Sequence, residues 1–149
     1  MAYAMRINFT DVLRDGTLRH FYLDGKKAGY QFDIRLSYYR GHFLSVIDEF
    51  ELKVDGKVVD NERIMFCLNG KEFGISQLHD LVSEFWCVTD PATIKVIQPG
   101  SISDGEHEFD LKLMFHSPYM PISDTDYMPV DGCDKKTLVM EHEETVTNE

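Results

Sequence analysis

Hydrophobic and polar residues alternate with a period of two along much of the chain. The cleanest run spans residues 106–116, where Phe109, Leu111, Leu113 and Phe115 share one face and Glu108, Asp110 and Lys112 the other. Successive strand side chains point to opposite faces, so this run predicts a half-buried strand over 109–115. Similar patterns predict strands over 5–9, 18–23, 30–36, 49–54, 63–68 and 93–97. Asp24-Gly25, Asp55-Gly56 and Asn69-Gly70 stand between such runs and accept the positive φ angles of two-residue hairpin turns. Neighbouring strands are therefore expected to be antiparallel. Seven strands suffice for two packed sheets, and the expected fold is all-β, an antiparallel two-sheet, jelly-roll-like sandwich.

One segment departs from the pattern. Leu78, Leu81, Val82, Phe85 and Trp86 recur at helical spacing, Ser76 precedes them as an N-cap, and Thr89-Asp90-Pro91 closes the segment. One short helix is predicted over 76–85, its apolar stripe read as core. Beyond the last strand, Ser117-Pro118-Tyr119-Met120-Pro121 and Tyr127-Met128-Pro129 predict a long loop over 117–129, its prolines lacking ladder donors and its tyrosines and methionines suited to packing or to a partner. With no repeat or linker, the chain reads as a single domain over 1–133. An acidic tail over 134–149, holding Glu141, Glu143, Glu144 and Glu149, follows it.

Charge narrows the partners. Against 15 basic side chains stand 26 acidic ones, a net charge of −11 that repels phosphate backbones and anionic lipid, so neither nucleic acid nor a membrane is expected as partner. Met1-Ala2-Tyr3-Ala4-Met5-Arg6 lacks the apolar core of a signal peptide and no run reaches the length of a membrane span, which leads to the expectation of a cytoplasmic protein. Cys67, Cys87 and Cys133, odd in number and far apart, read as reduced thiols.

The histidines His20, His42, His79, His107, His116 and His142 raise the question of a metal inside the sandwich. Such a site needs two histidines alternating on one strand with a carboxylate close by; the nearest substitute, Glu106-His107-Glu108, reads better as a solvated strand entrance after Asp104-Gly105. No Gly-x-Ser-x-Gly elbow or phosphate-cradling glycine loop is present. Asp48 and Glu49 are adjacent, so on a strand they diverge and cannot share one bond as acid and base. Neither a metal site nor a catalytic residue is expected in this chain. Tyr38-Tyr39-Arg40-Gly41-His42 is the cluster richest in chemistry. It reads either as a structural corner with Arg40 paired to a carboxylate, or as an interface, since Tyr and Arg are enriched at binding hot spots.

Several segments in fixed order resemble one family. They are Gln31-Phe32-Asp33-Ile34-Arg35-Leu36-Ser37-Tyr38-Tyr39-Arg40-Gly41, Phe50-Glu51-Leu52-Lys53-Val54-Asp55-Gly56, Phe85-Trp86, Pro91-Ala92-Thr93, Pro99-Gly100, Gly105-Glu106-His107-Glu108 and Ser117-Pro118-Tyr119-Met120-Pro121. Together, over 30–130, they are similar to the β subunit of bacterial C-glycoside deglycosidases. Members often read Pro-Gly-Gly-Leu where this chain has Pro99-Gly100-Ser101-Ile102, and carry Arg near the position of His116.

The resemblance implies a heteromer. Its α subunit, a TIM barrel, would carry the catalytic base and a divalent metal, taken as Mn²⁺, while the β-sandwich subunit is inactive alone. The implied substrate is a flavonoid-type aryl C-glucoside already oxidised to the 3-keto form, cleaved at its carbon–carbon bond by elimination. Tyr38, Tyr39, Arg40, His116, Tyr119 and Tyr127 are the residues expected to face the partner or substrate. Two rival readings are a stand-alone carbohydrate-binding β-sandwich, with Tyr119 and Tyr127 as a stacking platform, and an independent β-barrel lyase with its own metal.

Overall fold

The computed structural model describes residues 4–6 and 11–141. Its strands are β1 (Arg19–Leu23), β2 (Lys26–Ile34), β3 (His42–Phe43), β4 (Ile47–Val54), β5 (Lys57–Val58), β6 (Ile64–Leu68), β7 (Lys71–Gly74), β8 (Phe85–Trp86), β9 (Ala92–Ile97), β10 (Gly105–Pro121), β11 (Tyr127–Asp131) and β12 (Asp134–Met140). One sheet runs β1-β2-β9-β6-β7. The other runs β11-β10-β4-β5, with β12 also paired to β10, and β3 and β8 form a small ribbon. Every pair of named strands is antiparallel. The all-β sandwich expected from the alternation is the fold observed.

The three hairpin dipeptides behave as their chemistry dictates. Asp24 and Gly25, Asp55 and Gly56, and Asn69 and Gly70 all have positive φ, between 52° and 81°, and each pair turns one strand back on its neighbour as in a two-residue hairpin. Between the sheets, Phe109 of β10 meets Phe32 edge-on at 4.9 Å and Tyr30 at 6.1 Å, while Phe66 of β6 meets Phe50 at 6.3 Å and Trp86 at 5.4 Å. The face of β10 read from the alternation, Phe109, Leu111, Leu113 and Phe115, is wholly buried.

Three expectations need correction. The helix over 76–85 is a six-residue 3₁₀ segment, Ile75–Asp80, and the chain returns to strand at Phe85. Gly74 rather than Ser76 begins it, with the Gly74 N–H donating to Gln77 Oε1 at 2.7 Å. Of the expected stripe only Leu78 and Trp86 are buried; Val82 is 71% exposed, so no continuous apolar face exists to stabilise a longer helix. The loop over 117–129 is instead a hairpin, β10 continuing to Pro121 and β11 starting at Tyr127. Pro118 is tolerated because β4 pairs with β10 only as far as Phe115, which frees one edge of the strand beyond it. The segment expected to open an acidic tail at 134 carries β12, whose Leu138 and Met140 are buried opposite His107 and Gly105. Of the strand expected over 5–9, Met5 forms an isolated bridge to Val130, and residues 7–9 lie outside the described residues, as do His142, Glu143, Glu144 and Glu149.

Candidate functional site

The far end of β10 builds a polar and aromatic corner. Beyond Phe115 the period of two continues to one more inward position, Ser117, after which Pro118 and Tyr119 are both exposed. Ser117 is fully buried and its hydroxyl lies 2.8 Å from the Tyr38 hydroxyl. The Tyr119 N–H also donates to Ser117 Oγ, at 3.3 Å. Burial raises the Tyr38 phenol above its ordinary pKa, an effect the Ser117 hydrogen bond partly opposes. Tyr39 stacks on Tyr38 at 4.4 Å and is itself half exposed.

Gly41 lets the chain fold tightly onto this corner. A Cβ there would lie 2.6 Å from both the Phe85 ring and the Trp86 carbonyl. The Tyr119 hydroxyl donates to the Gly41 carbonyl at 3.0 Å, and the Arg40 guanidinium sits 3.9 Å above the Tyr119 ring, a cation–π arrangement. Arg40 is exposed and forms no ion pair with any described carboxylate, so the carboxylate-paired corner is not the arrangement found. Phe43 and Phe85, paired across β3 and β8 with rings 5.1 Å apart, extend the corner outward. Tyr39, Phe43, Phe85 and Tyr119, each at least 36% exposed, form with Arg40 an aromatic surface of hot-spot composition.

His42 stands at the centre of the corner. It is 2% exposed and packed against Tyr38, Phe115 and Tyr119 at 4.8, 5.1 and 5.4 Å. Among the described residues, neither ring nitrogen has a hydrogen-bond partner. Burial, aided by the His116 and Arg40 charges, pulls its pKa down to about 4, so the ring is neutral with one N–H and one lone pair unmatched. Leaving a buried donor or acceptor unmatched costs about 1–3 kcal/mol.

Of the six residues expected at a site, four converge here: Tyr38, Tyr39, Arg40 and Tyr119. His116 and Tyr127 do not. His116 sits one residue off the inward register and bonds Asp48 through Nδ1 at 3.1 Å, while Tyr127 stacks on it at 6.0 Å. Tyr119 lies under the Arg40 guanidinium and Tyr127 stacks on His116, the two rings remaining 38% and 45% exposed. Sequence reasoning named His42 within the 38–42 cluster and Ser117 within the loop suited to a partner without singling either out, and gave Phe43 and Phe85 no place at a site. Continuing the β10 alternation to 117 would have found Ser117; the ribbon of Phe43 and Phe85 is a tertiary pairing with no local signal. Among the described residues, no three His, Cys, Asp or Glu side chains group to hold a metal, and no described helix is long and apolar enough to cross a membrane.

Comparison with known proteins bears on the same segments. A family model described as "C-glycoside deglycosidase beta subunit" matches residues 9–119. A C-glycoside deglycosidase beta subunit of Eubacterium cellulosolvens is 37% identical over 98 residues, covering 66% of this chain and 67% of that one. One of Microbacterium trichothecenolyticum is 34% identical over 130 residues, 85% of this chain and 92% of the relative. A "3'-dehydrocarminate deglycosidase beta subunit" of a Microbacterium species is 34% identical over 98 residues, 65% of this chain and 73% of that one.

Proposed function

This chain belongs to the C-glycoside deglycosidase beta subunit family, and from that premise we propose that it is the non-catalytic subunit of a carbon–carbon lyase, docking through the Tyr39-Arg40-Phe43-Phe85-Tyr119 corner onto an α subunit. The α subunit is a TIM barrel that holds the catalytic base. The substrate is an aryl C-glucoside, of flavonoid type, oxidised to the ketone at C3 of its sugar.

The chemistry divides cleanly between the subunits. The C3 carbonyl acidifies the proton on C2, and the base of the α subunit removes it. As the electron pair left on C2 forms the C1–C2 double bond, the bond from C1 to the aryl carbon breaks and that carbon takes up a proton. A divalent ion such as Mn²⁺ in the α subunit supplies Lewis acidity at the C3 carbonyl when bound. The present chain offers an aromatic face with a cation that has no ion pair among the described residues, suited to hold the α subunit and to exclude water around the aglycone.

The observation that carries the docking reading is this corner itself: four exposed aromatic rings, Phe43 packed on Phe85 and Tyr119 under the Arg40 guanidinium, beside an arginine with no ion pair among the described residues, a patch a lone monomer seldom leaves uncovered. The test mixes the purified chain with its cognate α subunit and a 3-keto aryl C-glucoside. No cleavage is expected from the chain alone, and full cleavage on mixing. Arg40→Ala and Tyr119→Ala should each weaken assembly at least tenfold. Turnover by the chain alone, free of α subunit by mass spectrometry, would overturn the assignment.

A further inference from the structure

Three buried histidines can be compared directly. His20 holds Ser101 Oγ at 2.6 Å and Asp104 at 3.4 Å; His107 holds Asp55 Oδ2 and the Ser103 carbonyl, both at 2.6 Å. His42 alone among them has neither nitrogen matched. Of the three rings packed on it, Tyr38 and Phe115 are buried and Tyr119 is exposed, fastened by one hydroxyl hydrogen bond to the Gly41 carbonyl and overlaid by Arg40. One residue, Gly41, separates the guanidinium, without an ion pair among the described residues, from the unmatched imidazole, and both carry N–H donors. In a chain with 26 acidic side chains, a cation left without a described carboxylate at this surface calls for an anion from outside.

Resting on the docking reading above, we infer that the α subunit presents a carboxylate side chain to this corner, taken by the Arg40 guanidinium and hydrogen-bonded by the His42 N–H as the Tyr119 ring swings aside. A carboxylate fits better than a hydroxyl because two donors converge on it and it accepts on both oxygens. His42 is then a positioning residue of the interface. Its unmatched state in the free chain is relieved only in the complex, so assembly gains what folding forgoes.

The experiment measures, without substrate, the affinity of the full-length parent, His42→Phe, Arg40→Ala and the double variant for the α subunit, together with the Tm of each free chain. His42→Phe keeps the ring and deletes both nitrogens. It should leave Tm unchanged or raised while weakening binding about tenfold, and the double variant should lose less than the product of the two single losses, because one carboxylate serves both groups. Parent-like binding by His42→Phe overturns the inference. A lowered Tm with parent-like binding also overturns it, marking an imidazole satisfied within the free chain. Should His42→Phe misfold, nitrogen NMR of the parent decides. The His42 ring resonances should move on adding α subunit, and unmoved resonances in a formed complex refute the contact. Failure of the parent to bind its α subunit at all would sink the docking reading and this inference together. Binding that is indifferent to His42 sinks the inference alone.

Discussion

The two ends of β10 treat a buried histidine in opposite ways. At its start, His107 is clamped between Asp55 and the Ser103 carbonyl, and Asp55 also accepts from the Glu108 N–H at 2.8 Å. Desolvation pulls the His107 pKa down, but the Asp55 and Ser103 hydrogen bonds and the Asp55 charge outweigh it and hold the ring above its ordinary value. At the other end, some ten residues on, His42 is packed among rings with nothing to bond. The first end is polar and satisfied, tying the turn between β4 and β5 to β10, as a structural device does. The second is aromatic, cationic and unsatisfied, an arrangement stable domains keep where something else completes it.

The sharpest way to break this comparison is to remove the floor of the unsatisfied end. Trp86, 1% exposed and paired with His42 across the ribbon, should cost about 3–5 kcal/mol as Trp86→Ala. A calorimetric loss below about 1 kcal/mol would mean that the corner is not anchored through it. Next in size, His107→Phe leaves Asp55 and the Ser103 carbonyl without their donor and should lose about 1–3 kcal/mol by denaturant unfolding. His42→Phe should lose nothing. Equal losses at the two sites would erase the distinction.

The smallest effect is a pH dependence of opposite sign at the two ends. Folded His42 stays neutral down to about 4, whereas the unfolded ring takes its proton near 6.5. Between those values the unfolded chain binds more protons, so stability falls as pH drops through that window, by up to about 1.4 kcal/mol per pH unit. Folded His107 has a raised pKa, so its contribution is fully present below the ordinary histidine value and is lost as pH rises through the raised one. Asp55, lowered chiefly by the His107 hydrogen bond, is lost only below its ordinary 3.8 and leaves the His42 window clear. Unfolding midpoints from pH 4 to 8 should therefore flatten on the acid side in His42→Phe and on the alkaline side in His107→Phe.

How much of this was legible in the sequence follows from which forces are local. Period-two alternation reports burial of one strand face, and it located β1, β2, β4, β6, β9 and the middle of β10. Asp-Gly and Asn-Gly report positive φ, and they located the turns. The 3₁₀ segment was misread because helical spacing of Leu78, Leu81, Val82, Phe85 and Trp86 arises by chance when a short turn and a short strand each bury one residue. β12 was hidden because the glutamates after Met140 lowered the apolar average around Leu138 and Met140. That Tyr38, Tyr39, Arg40 and Tyr119 lie in one corner was expected from residue type alone. His42 was named in the same cluster, but its unmatched nitrogens were not legible, since they follow from β3 pairing with β8 and from Tyr119 arriving from a strand more than seventy residues away.

Hydrogen–deuterium exchange of the full chain, with and without its α subunit, puts the two ends of β10 to the test together. On binding, amides at 38–43, 85–86 and 117–121 should slow markedly, and those at 103–108 should exchange as in the free chain. Slowing at 103–108 with 38–43 and 117–121 unchanged would place the partner at the satisfied end and contradict the account.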